Sequence, residues 1–461
     1  MAIAGDRPTV CMFVRNLFRH DARVKREALT LIDAGYAVVV FAVASTEAEA
    51  GEAWQGPIRV VRFTLGTAVS RFFGALLKAS RIWYAVAAIP RRIRMVVDRL
   101  LPGPGGGTRE AYHARYQGRP PPTVQVVAQA RTRLRAFAWP MHRFLQTLKF
   151  GRLAGRMAAE LHPVMYHCHD LNTAVAGYRA RRWWPAPLVY DSHELWPHRN
   201  RADARRRKSW VLERADRYFA RSADAVITVN ESIARHIESR YGIPEVIVVR
   251  NTPSLTARAA VENVVPLDAV PGPRFMYAGG IQTHRGIEEL IQAMALIPEG
   301  TLVLAGPGNE TYRASLEALA LQNGVRDRVR FLGLVSQDAL VSTIAQGDIG
   351  FCLIKNYCLS YYLSLPNKFF EYLHAGLPIV ASDFPEMRLL VDRYDVGVTC
   401  DPADPSAIAK AVADLLGRPE DLERMRANAR RATGEVNWEN ERRVLLDLYR
   451  RLVPGALQPQ T

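Results

Sequence analysis

Short, continuous runs of apolar residues alternate with helical patterns at the start of the chain. The run Thr9–Val14 is followed by Val24–Ala34, whose apolar residues have helical spacing, and then by the run Ala37–Val43. A continuous apolar run indicates a strand that is buried on both faces, as in a parallel sheet. Strands that alternate with helices indicate βαβ units. The pattern therefore predicts an α/β protein of the doubly wound type.

The same alternation continues in two blocks. The other predicted strands of the first block are Ile58–Phe63, Val164–His167, Pro187–Asp191, Ala225–Val229 and Val246–Arg250. Those of the second block are Arg274–Tyr277, Thr301–Ala305, Val329–Gly333, Ile349–Leu353 and Ile379–Ala381. A polar segment punctuated by prolines, Ser254 to about Pro273, separates the blocks, and Trp438–Leu452 reads as a final helix. We predict two Rossmann-like domains, residues 1–265 and 266–436, and a C-terminal helix within residues 437–461.

The alternation stops for about a hundred residues inside the first block. Here the sequence predicts two helical segments that contain both aromatic and basic residues, Arg71–Leu101 and Val124–Phe150. Residues 66–160 contain 17 Lys and Arg against 3 Asp and Glu, a net charge of +14 out of +16 for the whole chain. Basic helices with large apolar side chains are typical of membrane-surface segments. We therefore expect a basic helical insertion at about 66–160 that contacts an anionic membrane surface.

The composition of this insertion also fits two other interpretations. The helices could simply pack on the first domain with their charges in water. Positive charge also attracts nucleic acid, but no recognised nucleic-acid-binding module is present, and we expect no such partner.

Composition limits the class further. A length of 461 residues suggests two or three domains, and 49% apolar residues can fill large cores. The five cysteines have neither metal-site spacing nor the density of a disulfide framework, which indicates reduced thiols in the cytosol. We expect no signal peptide, because Asp6 and Arg7 are followed by a short predicted strand, and no membrane-spanning helix, because no apolar run approaches about 20 residues. We expect a cytoplasmic protein, peripheral on the inner face of the cell membrane.

The segment Leu365–Pro378 carries candidate chemistry. Pro366 can open a helix and Gly376 can end it, and Lys368 and Glu371 lie just inside this helix, three residues apart. A helix N-terminus attracts phosphate, Lys368 adds positive charge there, and the Glu371 carboxylate could accept two ribose hydroxyls. The alternative is a surface ion pair on an ordinary helix.

Further polar residues follow directly after predicted strands, at the edge where parallel sheets bind ligands. His167-Cys168-His169-Asp170 ends one strand, and Ser192-His193-Glu194 follows another. Two histidines two apart could ligate a metal, but the sequence suggests no third ligand, and no metal site is predicted.

These segments together resemble the retaining glycosyltransferases of family 4, which have the GT-B fold. The resemblance rests on five motifs: the opening segment N-x3-HDARVKREALTLIDAGY, His193 at a strand end, the turn Gly279–Gly286, Gly306–Gly308 and PNKFFEYLHAGLP. They occur in order within Pro8–Phe63 and Val164–Leu452. The resemblance implies a GT-B enzyme that moves a sugar from a nucleotide-diphosphate-sugar to a hydroxyl acceptor, without a metal or other cofactor. It also implies that the C-terminal helix crosses back to the first domain.

The resemblance also implies roles for individual residues. His193 would reach the transferred sugar, Arg285 and Lys368 would hold the diphosphate, and these three are the predicted catalytic residues. The implied donor-binding residues are Gly279, Gly280, Arg285, Gly306, Gly308, Val335, Asn367, Lys368 and Glu371. The implied acceptor-side residues are Asn16, Asp21, Arg23, His169, Asp170 and Glu194. The basic insertion favours a lipid-linked or glycan acceptor, as in the assembly of a cell-surface polysaccharide.

Two positions depart from the family pattern. Leu363 stands where the first Glu of a Glu-x7-Glu pair is usual, and Gly280 stands where many members have Arg. These departures support an alternative function, an inactive GT-B scaffold at the membrane. Another alternative, a sugar-nucleotide 2-epimerase, would need paired carboxylates in the cleft, for which Asp191 and Glu194 are the candidates.

Overall fold

The computed structural model describes residues 7–19, 21–66, 142–199, 206–257 and 263–456. Its strands are β1 (Thr9–Phe13), β2 (Ala37–Ala44), β3 (Gly51–Gln55), β4 (Ile58–Thr64), β5 (Met165–His169), β6 (Leu188–Ser192), β7 (Ala225–Thr228), β8 (Ile247–Val248), β9 (Arg274–Ala278), β10 (Thr301–Ala305), β11 (Val329–Gly333), β12 (Ile349–Cys352), β13 (Ile379–Ser382) and β14 (Gly397–Cys400).

The helices alternate with these strands. They are α1 (Ala22–Asp33), α2 (142–159), α3 (Leu171–Trp183), α4 (Arg206–Ser222), α5 (Glu231–Tyr241), α6 (Ile287–Met294), α7 (Glu310–Gln322), α8 (Gln337–Ile344), α9 (Leu359–Tyr362), α10 (Asn367–Ala375), α11 (Pro385–Tyr394), α12 (Pro405–Leu416), α13 (Pro419–Ala432) and α14 (Trp438–Leu452). Every strand predicted from an apolar run is present, and α14 has the predicted bounds.

The strands form two separate sheets. The first has the order β3-β4-β2-β1-β5-β6-β7-β8, and all its pairs are parallel except β3 with β4. The second has the order β11-β10-β9-β12-β13-β14 and is parallel throughout. In each sheet the order in which strands are added reverses beside the first strand of the domain, β1 or β9. Such reversals open a crevice at the carboxyl ends of the strands, which is where open α/β sheets bind ligands.

Each sheet is covered on both faces by helices. Apolar side chains of β1, β2 and β5 alternate between two buried clusters, one with α2 and α3 and the other with α1 and α14. The second sheet has a similar pair of clusters. The strands are therefore apolar on both faces, which explains why they were recognisable as continuous apolar runs.

The last helix, α14, joins the first domain. Trp438 Nε1 donates to Thr30 Oγ1 of α1 at 3.1 Å, and Tyr449 is fully buried against the first sheet. Glu441 accepts the backbone N–H of Arg250 at 2.8 Å, which ties α14 to the end of the first sheet. The chain therefore crosses from the second domain back to the first.

Three features differ from the predictions. Strand β14, at the edge of the second sheet, was not predicted from the sequence. The edge strand β3 was missed because Gly51–Gln55 has no apolar run; it forms a hairpin with β4 and is largely exposed. The helix predicted to end at Phe150 continues to residue 159, where Ala154 and Ala158 are buried.

Most of the basic insertion falls on residues 67–141, outside the described residues, as does the predicted helix Arg71–Leu101. Among the helices that the structure describes, none is long and apolar enough to cross a membrane.

Candidate active site

A cleft of about 970 Å³ lies between the carboxyl ends of the two sheets. The first domain lines it with the loop after β1 and the residues after β6, and the second domain with the loops after β9, β10 and β11 and the start of α10. This volume is at the upper end of the range for small-molecule sites. The cleft can hold a ligand as large as a nucleotide sugar.

Helix α10 forms one wall of the cleft. Its only exposed or half-exposed residue is Asn367, because the side chains from Lys368 to Ala375 are buried. Tyr372 fixes the helix to the sheet: its hydroxyl accepts the backbone N–H of Ala278 at 2.8 Å and lies 3.0 Å from the carbonyl of Phe351. Gly376 ends the helix in the left-handed conformation, as predicted from the sequence. The first turn of α10 is thus held next to the end of β9.

Two glycines allow the backbone turns after β9 and β10 to meet. Gly306 has φ +154°, and a Cβ there would lie 2.0 Å from the carbonyl oxygen of Gly279. Gly279 has φ +113° and donates its N–H to Ala305 O at 2.8 Å. A side chain at position 306 would push the two turns apart. Backbone is therefore exposed at the floor of the cleft, where a ligand can approach it closely.

Two cations of the second domain face the cleft. Lys368 is only 6% exposed; its Nζ lies 3.4 Å from the centroid of the Tyr277 ring and makes no hydrogen bond within the described residues. Arg285 stacks over Tyr361 with its Cζ 4.9 Å from the ring centroid. Burial, together with the nearby Arg285, lowers the pKa of Lys368 to about 7, while Cys352 and Glu371 oppose the shift. An anion bound here would supply the missing partner of Lys368.

Glu371 lies one turn along α10 and is 7% exposed. Burial raises the pKa of this carboxyl, while Lys368, Gln337 and Arg26 oppose the rise. The surface ion pair considered from the sequence is therefore wrong: both Lys368 and Glu371 are buried in the wall of the cleft. A carboxylate in such a place can accept hydroxyl hydrogen bonds from a ligand.

The first domain contributes a capped loop after β1. Asn16 Nδ2 donates to Asp21 Oδ2 at 2.7 Å, and Asp21 caps α1 by accepting the N–H of Val24 at 3.2 Å. Arg23, in the first turn of α1, turns inward and donates from Nε and Nη2 to the two carboxylate oxygens of Asp191 at 3.0 and 2.9 Å. The loop is therefore anchored to the end of β6.

Asp191 is the centre of a buried network. Its Oδ2 lies 3.0 Å from His193 Nε2 and 3.3 Å from His169 Nδ1, and the two imidazoles are 3.1 Å apart. Burial would raise the pKa of Asp191, but Arg23 and the histidines hold it well below its usual range. Burial lowers the pKa of His193, but Asp191 and Asp170 outweigh it and raise the value to about 9. His193 is therefore a cation near neutral pH.

Glu27 and His167 complete the network below the cleft. His167 Nε2 lies 3.8 Å from carboxylate oxygens of both Glu27 and Asp191, and its Nδ1 is 2.8 Å from the Tyr449 hydroxyl of α14. The structure thus brings two carboxylates to the two histidines, which sequence reasoning missed. The guanidinium of Arg23 lies 3.0 Å from Glu27 and 2.9 Å from Asp191 and compensates their charge. We interpret the group as an ion-pair network.

The structure brings most of the predicted site residues together around the cleft. Those that line it are Asn16, Asp21, Arg23, His193, Glu194, Gly279, Gly280, Arg285, Gly306, Val335, Asn367, Lys368 and Glu371.

Three predicted site residues do not line the cleft. Gly308 pairs with Ile281 in a short bridge behind the turn. His169 is buried behind His193. Asp170 has φ +65° and accepts the backbone N–H of His193 at 3.1 Å, so it acts on the loop after β6. His169 and Asp170 contact His193, which lines the cleft.

Sequence reasoning missed several residues of the cleft. Tyr277 and Tyr361, which stack with the two cations, are among them. Tyr277 is the last residue of a predicted strand, so its place at the ligand-binding edge could have been predicted from the sequence. Tyr361 lies in the short helix α9, for which the sequence pattern gives no signal.

Comparisons with known proteins agree with this architecture. The model of the family "Glycosyl transferases group 1" matches residues 268–432, and that of "Glycosyltransferase Family 4" matches residues 105–252. These two ranges cover more than half of the chain.

Individual proteins give the same result. The D-inositol 3-phosphate glycosyltransferase of Xylanimonas cellulosilytica is 28% identical over 64% of this chain and 75% of its own length. Sucrose-phosphate synthase of Thermosynechococcus elongatus has a similar fold, with a TM-score of 0.65 at 18% identity over 97% of this chain and 99% of its own. HepE of Anabaena, solved in complex with UDP-glucose, has a TM-score of 0.64 at 14% identity over 97% of this chain and 100% of its own.

Two parallel-sheet domains that face each other across a cleft, with these neighbours, define the GT-B class of glycosyltransferases. The chain belongs to glycosyltransferase family 4, and the protein is a glycosyltransferase.

Proposed function

We propose that the protein transfers a sugar from a nucleotide-diphosphate-sugar to a hydroxyl acceptor, with retention of the anomeric configuration. The observation that carries the proposal is the buried ammonium of Lys368, which lies in the cleft beside Arg285 without a hydrogen-bond partner among the described residues. HepE, a neighbour in fold, was solved with UDP-glucose, which supports a donor of this class.

The proposed donor fits the groups on the second-domain wall. The diphosphate would lie against Lys368, Arg285 and the glycine turns, and the ribose hydroxyls against Glu371. The base would lie along the segment that contains Val335. Departure of a nucleoside diphosphate places negative charge on the phosphates, and preorganised cations stabilise such charge most in the transition state. We assign no protein general base, and the leaving phosphate is the group that would deprotonate the acceptor.

The transfer itself tests the proposal. Purified protein is incubated with UDP-, GDP-, ADP- and dTDP-sugars and candidate acceptors, and released nucleotide is measured by chromatography. We expect release from donors of one base, a strong rise on addition of acceptor, and an α-configured product from an α-linked donor by NMR. Inversion would contradict the retaining mechanism. Absence of transfer from every donor would contradict the proposed function.

We further propose that the acceptor is lipid-linked and is reached at an anionic membrane surface. The support is the net charge of +14 over residues 66–160 and, in the described part of that range, a helix with exposed apolar side chains. On α2, Phe144 is 58% exposed, and Leu153 and Met157 are half-exposed beside Arg152 and Arg156. Apolar and basic side chains on one exposed helix fit an anionic membrane interface.

Liposome co-sedimentation tests the membrane proposal. Wild-type protein and a variant with Arg91, Arg92, Arg94 and Arg99 changed to Gln are mixed at low salt with anionic or neutral vesicles. Each lost cation removes about 1 kcal/mol of attraction to an anionic surface, so we expect the variant to sediment far less. Equal sedimentation of both proteins would contradict the proposal.

A further inference from the structure

The imidazole of His193 has a carboxylate at each of its two nitrogens. Nε2 is 3.0 Å from Asp191 Oδ2, and Nδ1 is 3.8 Å from Asp170 Oδ2. The first distance is a hydrogen bond and the second is longer than one. The ring lines the cleft and its side chain is 22% exposed. The Nδ1–H of the charged ring therefore remains available to donate a hydrogen bond to a ligand oxygen.

Asp191 cannot turn away from His193. Arg23 holds both of its carboxylate oxygens, and the carboxylate has no exposed surface. Its backbone carbonyl also accepts the N–H of Asp170 at 2.8 Å, which fixes the loop from the other side. A bidentate guanidinium–carboxylate pair is directional as well as strong. The position of the imidazole is therefore set by Arg23 through Asp191.

The charges around His193 come from several elements. On the first domain they are Asp191 and Glu194 beside β6, His169 and Asp170 at the end of β5, and Arg23 and Glu27 on α1. Across the cleft they are Arg285 and Lys368. Asp191 and His169 are nearest, at 3.0 and 3.1 Å from Nε2, and Asp170 lies 3.8 Å from Nδ1. The two carboxylates favour the charged ring more than Arg23 opposes it.

We propose that Asp191, held by Arg23, is a positioning residue that keeps His193 as an imidazolium and directs its Nδ1–H at an oxygen of the bound sugar. This inference rests on the proposed function, because it takes the sugar to lie against His193. It adds a requirement that family membership does not state: the ring must carry a charge, and Asp191 supplies the reason. Transfer then depends on Asp191 although Asp191 does not line the cleft.

The proposal predicts a pH dependence with a definite sign. The pKa of His193 is raised, to about 9, so the charged ring is present below that pH and is lost above it. Asp191→Asn keeps the shape of the side chain but removes its charge. A nearby opposite charge shifts a pKa by about 1–3 units, so we expect the alkaline limb of kcat to move down by that amount. At about pH 8 the variant would then lose about two- to fiftyfold more activity than at about pH 6, depending on where in that range the shift falls.

The experiment measures kcat and KM from about pH 5.5 to pH 9.5 for wild type, Asp191→Asn and His193→Gln. NMR follows the His193 ring in parallel, assigned by its absence from His193→Gln. Asp33→Asn is the matched control, since Asp33 lies on α1 with an exposed side chain and should leave both profiles unchanged. We expect Asp191→Asn to lower kcat more than it raises KM, and to lower the pKa of His193.

Three results would overturn the inference. One is a loss of activity in Asp191→Asn by the same factor at every pH, as a purely structural role would give. Another is an unchanged pKa of His193 in that variant. The third is normal turnover by His193→Gln, which would leave the proposed function intact but remove His193 from the sugar.

Two further measurements keep the inference testable. If Asp191→Asn does not fold, Asp170→Asn removes the other carboxylate instead. We expect this variant to lower the pKa of His193 by a smaller amount. If wild-type protein turns over no donor, the proposed function fails, and the NMR titration still decides whether Asp191 sets the charge of His193.

Discussion

The two walls of the cleft differ in whether their buried cations are paired with carboxylates. On the first-domain wall, the guanidinium of Arg23 is buried against two carboxylates, and His193 lies between Asp191 and Asp170. On the second-domain wall, Lys368 is also buried, but its Nζ lies over the Tyr277 ring and makes no hydrogen bond among the described residues, and burial lowers its pKa to about 7. Within the described part of the chain, the buried cation of the first wall is therefore paired with two carboxylates, whereas that of the second wall has no hydrogen bond.

This difference matches the two halves of a transfer reaction. A nucleoside diphosphate brings negative charge, so the wall that binds it gains from a cation that has no partner until the ligand arrives. A sugar is neutral and needs hydrogen-bond donors in fixed positions, which a compensated network can supply. Under the proposed function, charged residues would position the sugar on one wall and bind the diphosphate on the other.

The largest expected effect comes from replacing one arginine by methionine on each wall and comparing the two losses of stability. Arg23→Met leaves Asp191 and Glu27 buried without their cation, and we expect a loss of about 3–5 kcal/mol in the free energy of unfolding. Arg285→Met removes a half-exposed cation of the cleft, and we expect a change of about 1 kcal/mol or less. Urea denaturation of both variants measures the difference. Equal losses would show that the two walls do not differ in this way.

The second prediction concerns activity on the second-domain wall. Lys368→Met keeps the length of the side chain and removes its charge. We expect kcat/KM to fall about 10²–10³-fold, as is typical when one preorganised donor to the transition state is removed. Lys410→Met, on the exposed side of α12, is the control. Activity in Lys368→Met close to that of wild type would exclude this lysine from the chemistry.

The third prediction concerns protons taken up on binding. Burial lowers the pKa of Lys368 to about 7, and a bound diphosphate would raise it again. At about pH 8, binding should therefore take up a proton, and affinity should fall by up to about tenfold per pH unit as the pH rises above 7. Calorimetry in buffers of different ionisation enthalpy measures this uptake. In Lys368→Met the Lys368 contribution disappears; uptake equal to that of wild type would contradict the assignment.

The smallest expected effect concerns the support of the second-domain wall. Tyr372→Phe removes the hydroxyl that accepts the N–H of Ala278 and leaves that buried group without a partner. We expect a loss of about 1–3 kcal/mol in the free energy of unfolding and a modest fall in affinity for nucleotide. Thermal unfolding and nucleotide titration measure both. An unchanged affinity together with lower stability would show that α10 keeps its position without this bond.

Much of the fold could be predicted from the sequence because parallel strands are apolar on both faces. That property allowed twelve strands to be predicted from apolar runs. The carboxyl ends of these strands also located the ligand-binding edge, where His193 and Gly279 lie. The edge strand β3 has no such signature, since it is largely exposed and pairs only with β4.

The site was predictable to the extent that its residues follow strands or begin helices. Lys368 and Glu371 met that condition, but the sequence could not show that both are buried. Glu27 lies in mid-helix and contacts Arg23 and His167 only through the fold. Networks of this kind join residues distant in sequence, such as His167 and Tyr449, and local patterns do not contain that information.

The central claim is that the second-domain wall binds a nucleoside diphosphate, and calorimetry with UDP, GDP, ADP and dTDP tests it most directly. Wild type is compared with Glu371→Ala and with the control Glu299→Ala, an exposed residue at the opposite edge of the sheet. A ligand at about 100 times its Kd also stabilises by about 2.7 kcal/mol, so thermal shift gives an independent readout. We expect one nucleotide to bind wild type and the control equally, and Glu371→Ala much more weakly. Failure of all four nucleotides to bind wild type would contradict the account.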